Sequence, residues 1–162
     1  MRRFTEIIPE NIRLPALTAI YGLVSGLSTV AFLLSVNKLF DLIWHPLMTL
    51  SAPAFAFGSF LVITTTSLAT GILMAKVRPD AAGSGIPQLK AAYWTELGVV
   101  SFRAVVVKFI GGVLALAGGA SLGREGPTVF VTGGVSSNVA GLLGVPYRRR
   151  RHAAASGAAA GG

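Results

Sequence analysis

Gly83-Ser84-Gly85-Ile86-Pro87 and, further along, Gly123-Arg124-Glu125-Gly126-Pro127 are the stretches on which the fold turns. Each sets glycines and a polar or charged side chain just before a proline, within an otherwise apolar chain. Proline is favoured at the start of a helix, where its missing N–H costs nothing and its φ is already helical. Each stretch therefore predicts a loop feeding a helix whose N-terminus points back at the loop. The helix after the first, about Pro87 to Glu96, is too short to cross a bilayer, which takes about 20 residues. The next, Phe102 to about Ala117, carries Arg103 and Lys108 and ends at Gly118-Gly119. After the second stretch an uncharged run extends from Gly126 to Tyr147. Short helices broken by Gly and Pro mark discontinuous membrane helices. Such irregular backbone survives at membrane depth only where it is buried in protein or lines a cavity.

Towards the N-terminus the pattern is simpler. No charged residue falls between Leu14 and Asn37, a run long enough to span. It exceeds the ~7–15 residues of a signal-peptide core and offers no clear small-residue cleavage site, so it reads as a retained span. Gly22, Ser25, Gly26 and Ser28 give it a small-residue face suited to close helix contact. A second run, Leu42 to Ala75, is interrupted only by His45. Trp44-His45-Pro46 is expected to turn at the interface with the indole at headgroup level. Pro53 should precede a helix near Ala54 to Lys76, whose Thr64-Thr65-Thr66-Ser67 cluster can bond its own backbone carbonyls. Tyr21, Tyr93 and Trp94 are expected to be interfacial anchors. The expected layout is a cytoplasmic N-terminal segment (1–13), a membrane domain (14–147), then a basic cytoplasmic loop and the start of a further helix (148–162).

Composition agrees. Apolar residues make up 52% of the 162-residue chain and charged ones 12%, against about 25% charged in soluble domains. Net charge is +8, but the basic residues gather at the ends of apolar runs: Arg2, Arg3 and Arg13, then Lys76 and Arg78, then Arg148 to Arg151. That is the positive-inside pattern, with the N-terminus cytoplasmic and the first two spans antiparallel. No aromatics interleave with these clusters, which argues against nucleic acid as a partner. There is no Cys, so thiol chemistry and cysteine metal sites are excluded. His45 and His152 lie at span ends, and no Ser/His or metal-binding pair falls within reach. Neither an enzyme nor a cofactor is expected.

The two loops carry the chemistry. A helix N-terminus holds roughly half a positive charge and free N–H groups, which together favour an anion. Ser84 adds one hydroxyl donor, and two such N-termini can converge on one ion. Binding by dipoles is weak enough to let the ion leave, as permeation requires. Glu125 stands apart, because a carboxylate in an apolar, glycine-rich segment is costly and signals function. Charged, it competes with an anion for the same positive focus; protonated or displaced, it vacates the site. Plainer roles stay open: an ordinary turn and N-cap for Ser84, and pairing with Arg124 at the membrane surface for Glu125. Lys108 is expected to be structural, snorkelling or paired with Glu96 or Glu125. Arg148 to Arg151 are expected to be a topology signal.

The two pentapeptides resemble the GSGIP and GREGP (or GKEGP) signatures of the CLC chloride channels and chloride/proton antiporters. Both occur in order about forty residues apart, with Val107-Lys108-Phe109 and Gly111-Gly112 between them. The resemblance extends over nearly the whole chain. It implies an all-α integral membrane protein of tilted and broken helices, in the cell's inner or plasma membrane, corresponding to the first inverted-repeat half of a CLC-like fold. It further implies that Ser84, with Gly85 and Ile86, contributes to a central anion site, Ser84 through its hydroxyl. Backbone N–H groups from Gly126 through Pro127, Thr128 and Val129 would form an outer site, and Glu125 would be the gating glutamate. In the family a Ser at the position of Ser84 goes with chloride and a Pro with nitrate. The implied partners are chloride, protons if the protein is an antiporter, the lipid bilayer and a second subunit.

Two departures qualify this. Gln88 and Lys90 stand where several family members carry acidic residues, which alters the charge near Lys108. A CLC subunit also has two inverted halves, and the later anion-site helix, its tyrosine and the internal proton glutamate would lie beyond Gly162. The expectation is an incomplete subunit, either part of a transport path or, alternatively, an inactive fragment or interaction partner of an intact one.

Overall fold

The computed structural model describes residues 10–162, so Arg2, Arg3 and most of the segment 1–13 lie outside the described residues. Among the described residues the protein is helical throughout. The helices are α1 (Glu10–Leu47), α2 (Ala52–Val77), α3 (Ile86–Thr95), α4 (Phe102–Ala117), α5 (Glu125–Leu142) and α6 (Arg150–Gly161). Single 3₁₀ turns at Pro79–Ala81 and Tyr147–Arg149 precede α3 and α6. Two helices, α1 and α2, are long and apolar enough to cross a membrane.

α1 is longer than the uncharged run that predicts it, at 38 residues. It continues past the exposed Lys38 and Asp41 and takes in Trp44-His45-Pro46, so the expected interfacial turn falls instead at Met48–Ser51. The cause is tertiary. Trp44 is 9% exposed, and its indole N–H donates to the Ala117 carbonyl at 2.8 Å. It thereby satisfies an orphan acceptor at the C-terminal end of α4. Phe40 stacks on the same indole at 5.8 Å. Trp44 is a buried helix cap, and not a headgroup anchor.

Tyr21 also departs from expectation. It is 3% exposed and packs with Leu17, Ala140, Val145 and Ala153 where α1 meets α5 and α6. The small-residue face of α1 is only partly used. Ser25 is fully buried and its hydroxyl lies 2.7 Å from that of Ser136 on α5. Nothing comes within 4 Å of a β-carbon built on Gly22 or Gly26.

α2 has no buried residue and exposes Phe57, Phe60 and Leu68, the surface a lipid-facing helix presents. Thr65 and Thr66 return their hydroxyls to the Leu61 and Val62 carbonyls, both at 2.8 Å. α2 touches α4 through small residues, with Met74 against Gly111 and Thr66 against Gly118. The core centres on α5, where Phe130 and Val131 pack with Leu89, Val100, Ala104 and Val105 from α3, α4 and the segment between them. α6 runs antiparallel along α5: Arg150 lies over Gly141, Gly157 against Ser136 and Gly161 against Thr132. The arginines at the start of α6 also hold structure, beyond any topology signal. Arg151 donates to the Trp94 carbonyl at 3.0 Å, at the C-terminal end of α3, and lies over the Tyr93 ring. Arg150 stacks on Tyr147 at 4.4 Å.

Candidate functional site

The loop between α2 and α3 is shaped by glycine. Gly83 has φ +89° and Gly85 φ +103°, left-handed conformations that strain any residue with a β-carbon. Gly85 is also closed in sterically, since a β-carbon there would lie 2.7 Å from the Gly126 carbonyl oxygen and 2.9 Å from Cβ of Phe130. Gly126, the second residue of α5, approaches the Ser84 carbonyl just as closely. The N-terminus of α3 and that of α5 therefore meet, one glycine against the other.

Two side chains hold the loop from behind. Lys108, 2% exposed on α4, donates its ammonium to the carbonyls of Ala81 (2.9 Å) and Gly83. Gln88, in the first turn of α3, accepts the Gly85 N–H on Oε1 at 3.0 Å and donates Nε2 to the Ala82 carbonyl. Three successive carbonyls, from Ala81 to Gly83, are thus occupied by donors. Acceptors that would repel an anion are turned to internal use, while the first-turn N–H groups of α3 have no acceptor of their own within the helix. Lys108 takes carbonyls and not Glu96 or Glu125 as a partner.

Ser84 is exposed and lines a cavity of about 440 Å³ together with Lys108, Gly112, Pro127, Leu122 and Gly123. Glu125 is exposed in the first turn of α5. It lines an adjoining cavity of about 410 Å³ with Arg124, Asn37 and Leu116, and Leu122 and Gly123 belong to both walls. Ser84 and Glu125 thus occupy neighbouring compartments divided by Leu122–Gly123.

The other expected residues are placed differently. Gly126 is buried at the contact with Ser84, and Pro127 lies against Gly112, where a β-carbon would be 3.1 Å away. Pro127 has no N–H to offer. Thr128 spends both donors inside its helix, its N–H at 3.1 Å and its hydroxyl at 2.6 Å, on the Arg124 carbonyl. Ile86 and Val129 line a third cavity, against α6, in which Ser84 has no part. At the start of α5 the uncommitted N–H groups are those of Glu125 and Gly126.

Sequence reasoning noted Gln88 only as a departure from a pattern and missed its role. The signal was available: a glutamine three residues after an N-cap is the reaching-back half of a capping box. The sequence marks Lys108 as structural, but nothing in its own helix points to the loop carbonyls it binds.

The chain matches known proteins over this whole region. Residues 66–161, which include both loops and α3 to α6, match the family described as voltage gated chloride channel. Over 164 aligned positions the chain is 32% identical to the H(+)/Cl(-) exchange transporter ClcA of Salmonella arizonae, covering 99% of this chain and 35% of that protein. The ClcA proteins of Salmonella schwarzengrund and Salmonella agona are 34% identical, with the same coverage. The chain spans about a third of the length of the curated relatives it matches. With two broken-helix loops joined at Gly85 and Gly126 and a family match across both of them, the chain belongs to the voltage gated chloride channel family.

Proposed function

We propose that this chain supplies part of a chloride path across a membrane, within a CLC-type subunit that is a channel or a chloride/proton antiporter and not an enzyme. The observation that carries the proposal is the contact of the α3 and α5 N-termini at Gly85 and Gly126 beside the cavity lined by Ser84 and Lys108. Ser84 and the buried Lys108 line this space and two helix N-termini meet beside it; dipoles, hydroxyl and ammonium all favour an anion. Glu125 at the adjoining cavity is the proposed gate. Its carboxylate competes with chloride when charged and yields when protonated. The name of the relatives, exchange transporters for protons and chloride, supports the coupled form. The basic residues around the spans support a cytoplasmic N-terminus, and the proposal includes a cell membrane and a second subunit as partner.

The test is chloride efflux from liposomes containing the purified chain, beside its Glu125→Gln variant. Efflux that responds to Glu125 supports the path and the gate. Folded protein with no efflux in either form counts against this segment conducting.

A further inference from the structure

A separate feature lies at the start of α1, away from the two loops. A cavity of about 400 Å³ opens between the first turns of α1 and the stretch from Val145 to His152. Arg13 reaches it from α1, and Arg149 and His152 reach it from the 3₁₀ turn and α6. Among the described residues no carboxylate lines it, and none is paired with these three side chains. The inner wall is apolar, with Leu17 and Val145 buried at 8% and 6% exposure, and Tyr21 closes the base. Cations thus stand over an apolar floor, where the uncharged run of α1 begins.

We propose that this cavity holds an anionic phospholipid, with its phosphate between Arg13 and Arg149, His152 beside it, and the first acyl methylenes along Leu17 and Val145. Each part of the cavity needs the corresponding part of the ligand. Two guanidiniums lining one cavity favour an anion that both can reach, and phosphate matches their planar donor fork. A soluble phosphate would satisfy the cations but leave the apolar floor wet. An acyl chain alone, or a zwitterionic lipid, would leave net positive charge uncompensated. Basic pockets between membrane helices are known to take anionic headgroups for these reasons. Arg148, in the same basic run, does not line the cavity and serves as an internal control.

Native mass spectrometry of the full chain in a neutral detergent tests this, with phosphatidylglycerol, phosphatidylcholine or inorganic phosphate added. The expected result is a retained one-to-one phosphatidylglycerol adduct, weak phosphatidylcholine binding and no phosphate adduct. Arg13→Gln and Arg149→Gln should each lower phosphatidylglycerol affinity about fivefold, while Arg148→Gln leaves it unchanged. Equal retention of the two lipids by the unmodified chain would overturn the proposal, and that comparison does not depend on any variant folding. So would loss of the lipid on adding inorganic phosphate, which would make this a site for the free ion. An Arg148→Gln effect as large as the other two would reduce it to general surface charge.

Discussion

Gly126 and Ser84 touch through their backbones, so that a β-carbon on Gly126 would lie 3.3 Å from Cβ of Ser84 and closer still to its carbonyl. The two loops are in contact here without a side chain between them. Gly126→Ala must therefore separate the start of α5 from the start of α3. Overpacking of this kind costs about 1–3 kcal/mol, so thermal unfolding in detergent should show a clear loss of stability. Chloride binding by calorimetry should weaken beyond what the stability loss explains, because the dipoles no longer focus on one point. Full-strength binding in a folded Gly126→Ala protein would show that the contact is packing alone.

Lys108 makes a sharper prediction, because its two roles can be separated. It ties the Ala81 and Gly83 carbonyls and adds a charge to the Ser84 cavity. Lys108→Met removes both and leaves the buried Ala81 carbonyl without a donor, at about 1–3 kcal/mol. Lys108→Gln keeps a donor and removes the charge. The Met variant should lose stability and chloride binding together, and the Gln variant should recover part of the stability but little of the binding. If Gln restored both, Lys108 would matter for loop shape and not for its charge.

Trp44 provides a control that packs against the start of the α4–α5 segment at Gly119 and lines neither the Ser84 cavity nor the Glu125 cavity. Trp44→Phe deletes the hydrogen bond to the Ala117 carbonyl while keeping most of the ring contact with Phe40. Leaving that carbonyl unpaired should cost about 1–3 kcal/mol, seen as a lower unfolding temperature. Anion selectivity, measured as a chloride/nitrate flux ratio, should not move.

These residues also show what the sequence could and could not reveal. The loops, the short α3 and the Phe102–Ala117 helix were legible because Gly, Pro and charge punctuate the chain locally. The end of α1 was not, because the partner of Trp44 is a carbonyl on another helix, 73 positions away. Likewise nothing local distinguishes Ser25, buried against Ser136, from Gly22 and Gly26, which face open space. Which stripe of an apolar helix is packed depends on its neighbours. Backbone acceptors such as those of Ala81 and Gly83 have no signature in the sequence, so the positions that bind them looked like isolated polar residues.

Ser84 bears on which anion is preferred. It lines the cavity, and its backbone lies against Gly126. Ser84→Pro removes the hydroxyl and one N–H donor, and the ring occupies space beside the loop contact. By the family pattern the flux ratio should shift from chloride towards nitrate. An unaltered ratio in a folded variant would remove Ser84 from the set of ligands.

Glu125 is the proposed gate, and its prediction separates stability from transport. It stands in the first turn of α5, where its charge is stabilised by the helix dipole by about 0.3–1 kcal/mol. Glu125→Gln should therefore change stability by less than about 1 kcal/mol, too little to disturb the fold. Its effect on transport should be larger and depend on pH. Under the proposed gating, the charged side chain contests the positive focus and a neutral one leaves it free, so chloride efflux should differ between the two proteins. Gln is neutral at every pH, so the variant should hold the high-efflux state with a flat pH profile and carry no coupled protons. Efflux measured across the acid range in both proteins decides this. A variant that keeps the unmodified pH profile would place the titrating gate on some other residue.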